Sequence, residues 1–196
     1  MLNYDITMAI KLNLGCGPRP IHPQHAPYAN SGWTLCDKYV NEPGIEKVDA
    51  LDLEGYETDS VDEIYHSHLM EHLSYEETLA ALAEWRRVLK PGGRLTINVP
   101  DMEYAAIQLL DMLGHNVNNL DHPTGIIKSK VFDTPHKMME IIYGNQDHEG
   151  EFHKSGYTTT SIAQLLKDNG FTDVVVTQVF EAHDMGCLIV EAYKHE

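Results

Sequence analysis

A buried strand that ends in a glycine turn is the feature that most constrains the fold of this chain. Residues 11–18 read KLNLGCGP, an apolar run followed by Gly15-Cys16-Gly17. The next apolar run, residues 33–36, ends at the acid Asp37. A glycine-rich turn after one strand and a carboxylate after the next are typical of doubly wound α/β folds that bind a nucleotide or a nucleoside.

Strands and helices alternate along the rest of the chain. Hydrophobic periodicity predicts strands at residues 10–14, 32–36, 45–49, 60–66, 94–100, 172–180 and 186–193, and helices at 75–89, 103–113, 137–143 and 159–169. We therefore expect one domain over residues 1–196. Its fold should be α/β, a Rossmann-like doubly wound, mostly parallel seven-stranded sheet in three layers with an antiparallel C-terminal edge strand.

Two segments depart from this alternation. Four prolines lie between residues 18 and 27, so the long helix usual between the first two strands should be missing or reduced to a turn. Dinucleotide folds rest a pyrophosphate on that helix, so the prolines favour a ligand without one. The long connection at residues 101–155 is predicted to form a substrate wall or lid.

Composition narrows the possible partners. The chain has 14 basic against 30 acidic residues, a net charge of -16, which argues against nucleic acid and against an anionic membrane surface. No apolar run approaches the roughly 20 residues that span a bilayer. Three cysteines, Cys16, Cys36 and Cys187, are predicted to be reduced, and we expect a cytoplasmic protein.

Five motifs follow one another in a fixed order: residues 12–18 (LNLGCGP), Asp37, residues 48–50 (VDA), residues 61–73 (VDEIYHSHLMEHL) and residues 89–95 (LKPGGRL). In this order and spacing they resemble the class I S-adenosylmethionine-dependent methyltransferases. The likeness is closest to small methyltransferases found with bacterial surface-polysaccharide genes, which share the region of residues 148–157 and a helix end like residues 165–171. It covers residues 10–100 well and the C-terminal third loosely.

The resemblance implies S-adenosyl-L-methionine as the cofactor, a ligand with a ribose but no phosphate. Gly15 and Gly17 would lie under its methionine part and Asp37 would accept the ribose hydroxyls. Asp49 would lie at the adenine, with Asp52 as a competing choice. The implied cofactor-binding residues are Leu14, Gly15, Cys16, Gly17, Asp37, Asp49, Ala50, Leu51, His66 and Ser67.

Methyl transfer from a sulfonium requires in-line positioning, and a base is needed only where the acceptor is a hydroxyl. His68 and His153 are the candidate bases, and no metal ligand is assigned. The Asp/Asn-Pro-Pro-aromatic signature of amino-methylating nucleic-acid enzymes is absent after the fourth strand. This favours an oxygen acceptor on a small molecule such as a saccharide, and a monomer or homodimer is expected.

Two other interpretations stay open. The chain could bind S-adenosylmethionine without catalysing transfer. Alternatively, His68, Glu71 and His72 fit the H-x-x-E-H pattern of inverzincin metallopeptidases, which would make the chain a zinc hydrolase.

Overall fold

The computed structural model describes residues 8–18, 27–30, 32–117, 132–180 and 185–195. The strands are β1 (Lys11–Leu14), β2 (Thr34–Asp37), β3 (Glu46–Lys47), β4 (Val61–Ser67), β5 (Leu89–Pro100), β6 (Phe171–Phe180) and β7 (Gly186–Lys194). The helices are α1 (Tyr75–Val88), α2 (Met102–Met112), α3 (Pro135–Tyr143) and α4 (Thr159–Asp168). The predicted loss of a helix falls on residues 19–26, which lie outside the described residues.

The seven strands form one sheet in the order β3-β2-β1-β4-β5-β7-β6. β1 is parallel to β2 and β4, and β4 is parallel to β5, whereas β7 is antiparallel to both β5 and β6. The predicted fold class is confirmed, and β7 lies one position inside the edge strand β6. The chain runs outward from β1 to β3 and then returns to β4, so the strand order reverses beside β1. Ligands of open α/β sheets bind at such a reversal, at the carboxyl ends of the strands.

Helices cover both faces of the sheet and give the three predicted layers. The larger core packs α1 and α4 onto one face, with Leu82, Trp85 and Ile162 against strand residues such as Leu14 and Ile97. A smaller cluster on the other face joins α2 and α3 to β7 through Ala105, Met138, Ile141 and Cys187. None of the three cysteines, all within the described ranges, is in a disulfide. No helix in the described part of the chain is long and apolar enough to cross a membrane.

Helix α1 has the capping box that its sequence predicts. Ser74 Oγ accepts a hydrogen bond from the amide of Glu77 at 3.2 Å, and the Ser74 amide donates to the Glu77 carboxylate at 2.7 Å. The helix ends at Val88, and β5 begins at the next residue, Leu89, rather than at residue 94. Leu89 pairs with Val61 before the register shifts, so the predicted turn at residues 90–93 is an irregularity within the strand.

His66, on β4, lies buried in the larger core. Its side chain is fully buried and its ring lies 4.9 Å from that of Trp85. Neither ring nitrogen has a hydrogen-bond partner among the described residues. Burial lowers the pKa of His66 from 6.5 to about 3, so the folded protein holds this imidazole in its neutral form.

This burial predicts an acid-sensitive core. Unfolded chains protonate His66 below about pH 6.5 while the folded protein does not, so stability falls as the pH drops. Between pH 6 and pH 4 the unfolding free energy of the wild type should fall by about 1.2 kcal/mol per pH unit more than that of His66→Leu. Urea denaturation at several pH values measures this difference. Replacing the exposed His115 with Leu is the control and should leave the wild-type slope intact; equal slopes for wild type and His66→Leu would contradict the prediction.

Candidate active site

A cleft of about 400 Å³ lies at the carboxyl ends of β1 and β2, where the strand order reverses. Its floor and sides come from the turns after β1 and β2, the loop after β3 and the segment between β4 and α1. A short 3-10 helix, Glu149–Glu151, and Lys154 close another side. The described part of the long connection at residues 101–155 therefore contributes a wall to the cleft.

The glycine turn forms the floor. Gly15 and Gly17 have φ angles of 62° and 68°, in the left-handed region that glycine adopts without strain. A Cβ on Gly15 would lie 3.0 Å from Leu69 Cδ1, whereas a Cβ on Gly17 would meet no atom within 4 Å. The turn therefore packs closely on the β4–α1 segment at Gly15 and leaves open space at Gly17.

Asp37 joins the two strand ends that flank the cleft. Its side chain lies at the cleft but the residue is only 8% exposed. Oδ2 accepts a hydrogen bond from the Gly17 amide at 2.9 Å, and Oδ1 accepts from the amides of Tyr39 at 2.8 Å and Val40 at 3.0 Å. One carboxylate thus fixes the glycine turn and the loop after β2 together.

Asp49 and the residues after it form the next side of the cleft. Asp49 Oδ1 accepts from the Leu51 amide at 3.0 Å, and Oδ2 lies 2.7 Å from Lys38 Nζ. The carbonyl of Ala50 accepts a hydrogen bond from Trp85 Nε1 at 2.8 Å, which ties this loop to α1. Asp52 is exposed and borders a neighbouring depression instead, so Asp49 is the acid that lines the cleft.

The structure brings together six of the ten predicted cofactor-binding residues: Gly15, Gly17, Asp37, Asp49, Ala50 and Leu51. The other four, Leu14, Cys16, His66 and Ser67, do not line the cleft. Leu14 and His66 point into the core, and Ser67 Oγ accepts a hydrogen bond from Asn98 Nδ2. Sequence reasoning missed Tyr39 and Leu69, which follow strand ends, and Lys154, for which the sequence offered no signal.

His68 lines the cleft beside a buried acid. The residue has a positive φ of 52°, and its amide donates to the Asn98 carbonyl at 2.9 Å. Its Nδ1 lies 2.9 Å from Oε1 of Glu71, which is only 1% exposed. Burial acts to raise the pKa of Glu71, but the hydrogen bond to His68 and the nearby histidines keep it below its ordinary value. The buried carboxylate is therefore an anion that orients an imidazole at the cleft.

His153 lies behind the cleft, in contact with His72. The two rings are 4.8 Å apart, and His153 Nδ1 is 2.9 Å from the carbonyl oxygen of Ile141. Burial lowers the pKa of His153. The amide of Lys154 donates to the carbonyl oxygen of Glu71 at 2.7 Å, which docks this segment onto residues 70–72. His153 does not line the cleft.

The zinc-hydrolase interpretation is not supported by the backbone. That motif needs His68 and His72 on one face of an α-helix. Instead, His68 has a left-handed φ and Met70–His72 is a three-residue 3-10 helix. The H-x-x-E-H residues therefore do not form the helical zinc motif.

The cleft carries an excess of negative charge. Five acids and two lysines line it: Asp37, Asp49, Glu77, Glu149, Glu151, Lys38 and Lys154. Both lysines are paired with acids, Lys38 with Asp49 and Lys154 with Glu77. The site is suited to a ligand with a net positive charge.

Comparison with known proteins finds one family match and solved structures that share this fold. Residues 12–97 match the family described as Methyltransferase domain. The match spans 86 of the 196 residues, which is less than half of the chain. Together with the solved structures below, this match supports the prediction of an S-adenosylmethionine-dependent methyltransferase with S-adenosylmethionine as cofactor. A search of curated proteins finds no match to the sequence.

Solved methyltransferase structures share the fold at low sequence identity. The 1,6-didemethyltoxoflavin-N1-methyltransferase of Burkholderia thailandensis, crystallised with S-adenosylhomocysteine, is 17% identical with a TM-score of 0.60, over 96% of this chain and 72% of that one. An S-adenosylmethionine-dependent methyltransferase of Methanosarcina mazei is 16% identical with a TM-score of 0.57, over 94% and 92%. A phosphoethanolamine N-methyltransferase of Haemonchus contortus is 14% identical with a TM-score of 0.55, over 96% of this chain but 49% of its own.

The hydrogen bonds of Asp37 predict a structural role in this methyltransferase that does not require ligand. Asp37→Ala leaves three backbone amides without their acceptor and should lower the free energy of unfolding by about 2 kcal/mol. Urea denaturation followed by circular dichroism measures the loss. Asp52→Ala is the matched control, because exposed Asp52 accepts only from the Glu54 amide among the contacts that the structure describes. A loss no larger in Asp37→Ala than in Asp52→Ala would refute the assigned role.

Proposed function

We propose that this methyltransferase transfers the methyl group of S-adenosylmethionine to a hydroxyl oxygen of a small acceptor, most simply a sugar or sugar-derived metabolite. The observation that carries the proposal is the cleft at the strand-order reversal, where the glycine turn and Asp37 are joined by a hydrogen bond. Five motifs and the domain match at residues 12–97 support the donor.

Within this proposal the cofactor lies along the strand ends. The methionine part passes over Gly15 and Gly17, where the open space at Gly17 admits a ligand. A carboxylate has about four acceptor sites. Three amides occupy three of those on Asp37, which leaves capacity for a ribose hydroxyl. The adenine lies against Asp49, Ala50 and Leu51, in the loop that Trp85 fixes.

Charge supports the same ligand. S-adenosylmethionine carries a sulfonium and an ammonium against one carboxylate, a net positive charge. The acids that line the cleft outnumber its lysines, so the field favours the charged donor over the neutral sulfur of its product. The same field disfavours a strongly anionic acceptor.

We assign the role of general base to His68. It lines the cleft, and the anionic Glu71 holds its Nδ1 side at 2.9 Å, which orients the ring and stabilises an imidazolium. In-line attack by the acceptor oxygen on the methyl carbon then needs only positioning and exclusion of water. His153, the other candidate base, lies behind the cleft and is given no proton-transfer role.

The acceptor wall is proposed to be the connection at residues 101–155. Its described part places residues 148–151 and Lys154 at the cleft, while residues 118–131 lie outside the described residues. We further propose that residues 1–196 act as one domain, as a monomer or homodimer. A cytoplasmic location is consistent with three cysteines that form no disulfide.

Calorimetry tests the cofactor site. Wild-type protein should bind S-adenosylhomocysteine, and Asp37→Ala should bind it about 10- to 100-fold more weakly because a charge-assisted hydrogen bond is lost. Asp52→Ala, outside the cleft, should bind like the wild type. Well-folded wild type that binds neither S-adenosylmethionine nor S-adenosylhomocysteine would refute the proposal.

A screen of sugar acceptors with radiolabelled donor tests the reaction. Methyl transfer to a hydroxyl, lost in His68→Ala and rescued by raised pH, would support the base. Cofactor binding without transfer to any acceptor of the panel would instead favour the non-catalytic binding domain.

A further inference from the structure

A buried carboxylate and two imidazoles converge at the wall of the cleft. One carboxylate oxygen of Glu71 and one ring nitrogen each of His72 and His153 all lie within 4.8 Å of one another. Ligands held at about 2.1 Å from one metal ion lie about 3 to 4 Å apart. Small side-chain rotations would therefore bring the three atoms to coordination distance.

Two polar atoms of this cluster are left without a partner by the protein. Glu71 is 1% exposed, and its Oε1 is taken by His68 while its Oε2 has no hydrogen-bond partner in the described part of the chain. His72 Nδ1 is likewise buried without a partner among those residues. Leaving a buried anionic oxygen and a buried ring nitrogen unpaired is costly, and a cation bound between them would satisfy both.

The tautomer of His153 is set by its surroundings. Its Nδ1 lies 2.9 Å from the Ile141 carbonyl oxygen, which can only accept, so Nδ1 carries the proton and donates. The lone pair is therefore on Nε2. Metal-bound histidines are oriented in the same way, because the ring N–H that faces away from the metal donates to a carbonyl or a carboxylate.

The backbone also holds the cluster together. The amides of Lys154 and Ser155 donate to the Glu71 carbonyl at 2.7 and 3.1 Å, and Ser155 Oγ donates to the Met70 carbonyl at 3.1 Å. These bonds bring His153 against residues that precede it by about 80 positions in the chain, a contact far beyond the reach of local structure. The site would be preformed by the fold rather than assembled by a ligand.

We propose that Glu71, His72 and His153 bind one divalent transition-metal ion. Two imidazoles and one carboxylate are the donor set of catalytic zinc sites, whereas magnesium and calcium prefer oxygen ligands alone. Three protein ligands leave a coordination position open. Of the three residues, His72 lines the cleft and Glu71 and His153 do not, so the proposed site lies in the wall of the cleft.

The role of the ion rests on the proposed function. An ion held there would supply a Lewis acid that makes an acceptor hydroxyl more acidic, and His68 would take the proton. The resulting alkoxide oxygen forms a bond to the methyl carbon as the carbon–sulfur bond breaks, and the bonding pair stays on the sulfur, which becomes a neutral thioether. Glu71 would then serve both groups, with Oε2 on the metal and Oε1 on His68.

Metal titration of the untagged, chelator-treated full chain tests the site. Calorimetry with zinc should show one ion per chain, and magnesium should not compete. Glu71→Gln and His153→Ala should each weaken zinc binding by at least about 100-fold, because losing even an outer-shell partner costs about 10- to 100-fold. His148→Ala is the matched control, since this exposed histidine lies at the cleft rim outside the cluster, and it should bind zinc like the wild type.

Circular dichroism and S-adenosylhomocysteine calorimetry on the metal-free variants show whether each variant is folded. If Glu71→Gln does not fold, His153→Ala still tests the site. Absence of stoichiometric zinc binding by the wild type, or zinc binding that His153→Ala retains, overturns the site. The two proposals fail separately. S-adenosylhomocysteine binding without zinc binding overturns the metal site alone, and zinc binding without S-adenosylhomocysteine binding supports the metal site while overturning the cofactor site.

Discussion

The hydrogen bond from the Gly17 amide to Asp37 is the interaction on which the rest of the site depends. It joins the end of β1 to the end of β2 across the point where the strand order reverses. The same carboxylate receives two amides from the loop that follows β2. A ligand that approaches Asp37 meets an acceptor already held in place, so little conformational entropy is lost on binding.

A second set of contacts, made by α1, holds the side of the cleft that Asp49 and the residues after it form. Trp85 donates to Ala50, and the Glu84 carboxylate accepts from the Leu53 amide while it pairs with Arg87. All three of these side chains belong to α1, whose apolar stripe packs on the sheet. Helix α1, which packs on the core, therefore holds in place the irregular loop that contains Ala50 and Leu53.

Local signals explain what the sequence could predict. Gly15, Gly17 and Asp37 follow strand ends, and the carboxyl ends of adjacent parallel strands necessarily meet at one edge of the sheet. The face on which His66 lies could not be predicted, because β4 is buried on both sides and its pattern carries no alternation. Only the register shows that His66 is paired with Leu14 and Ile97, which lie in the larger core. The meeting of His153 with Glu71 and His72 depends on tertiary packing between distant segments, which no local pattern encodes.

The position of β7 also sets an order of events in biosynthesis. β7 separates β6 from β5, so β6 has no strand to pair with in the sheet until residues 186–194 have left the ribosome. Until then β5 presents an open edge of backbone amides and carbonyls, the kind of edge that pairs with other chains. The glycine turn and the Asp37 loop are made long before this edge closes. The nascent chain is therefore expected to have made the glycine turn and the Asp37 loop while the open edge of β5 can still pair with other chains.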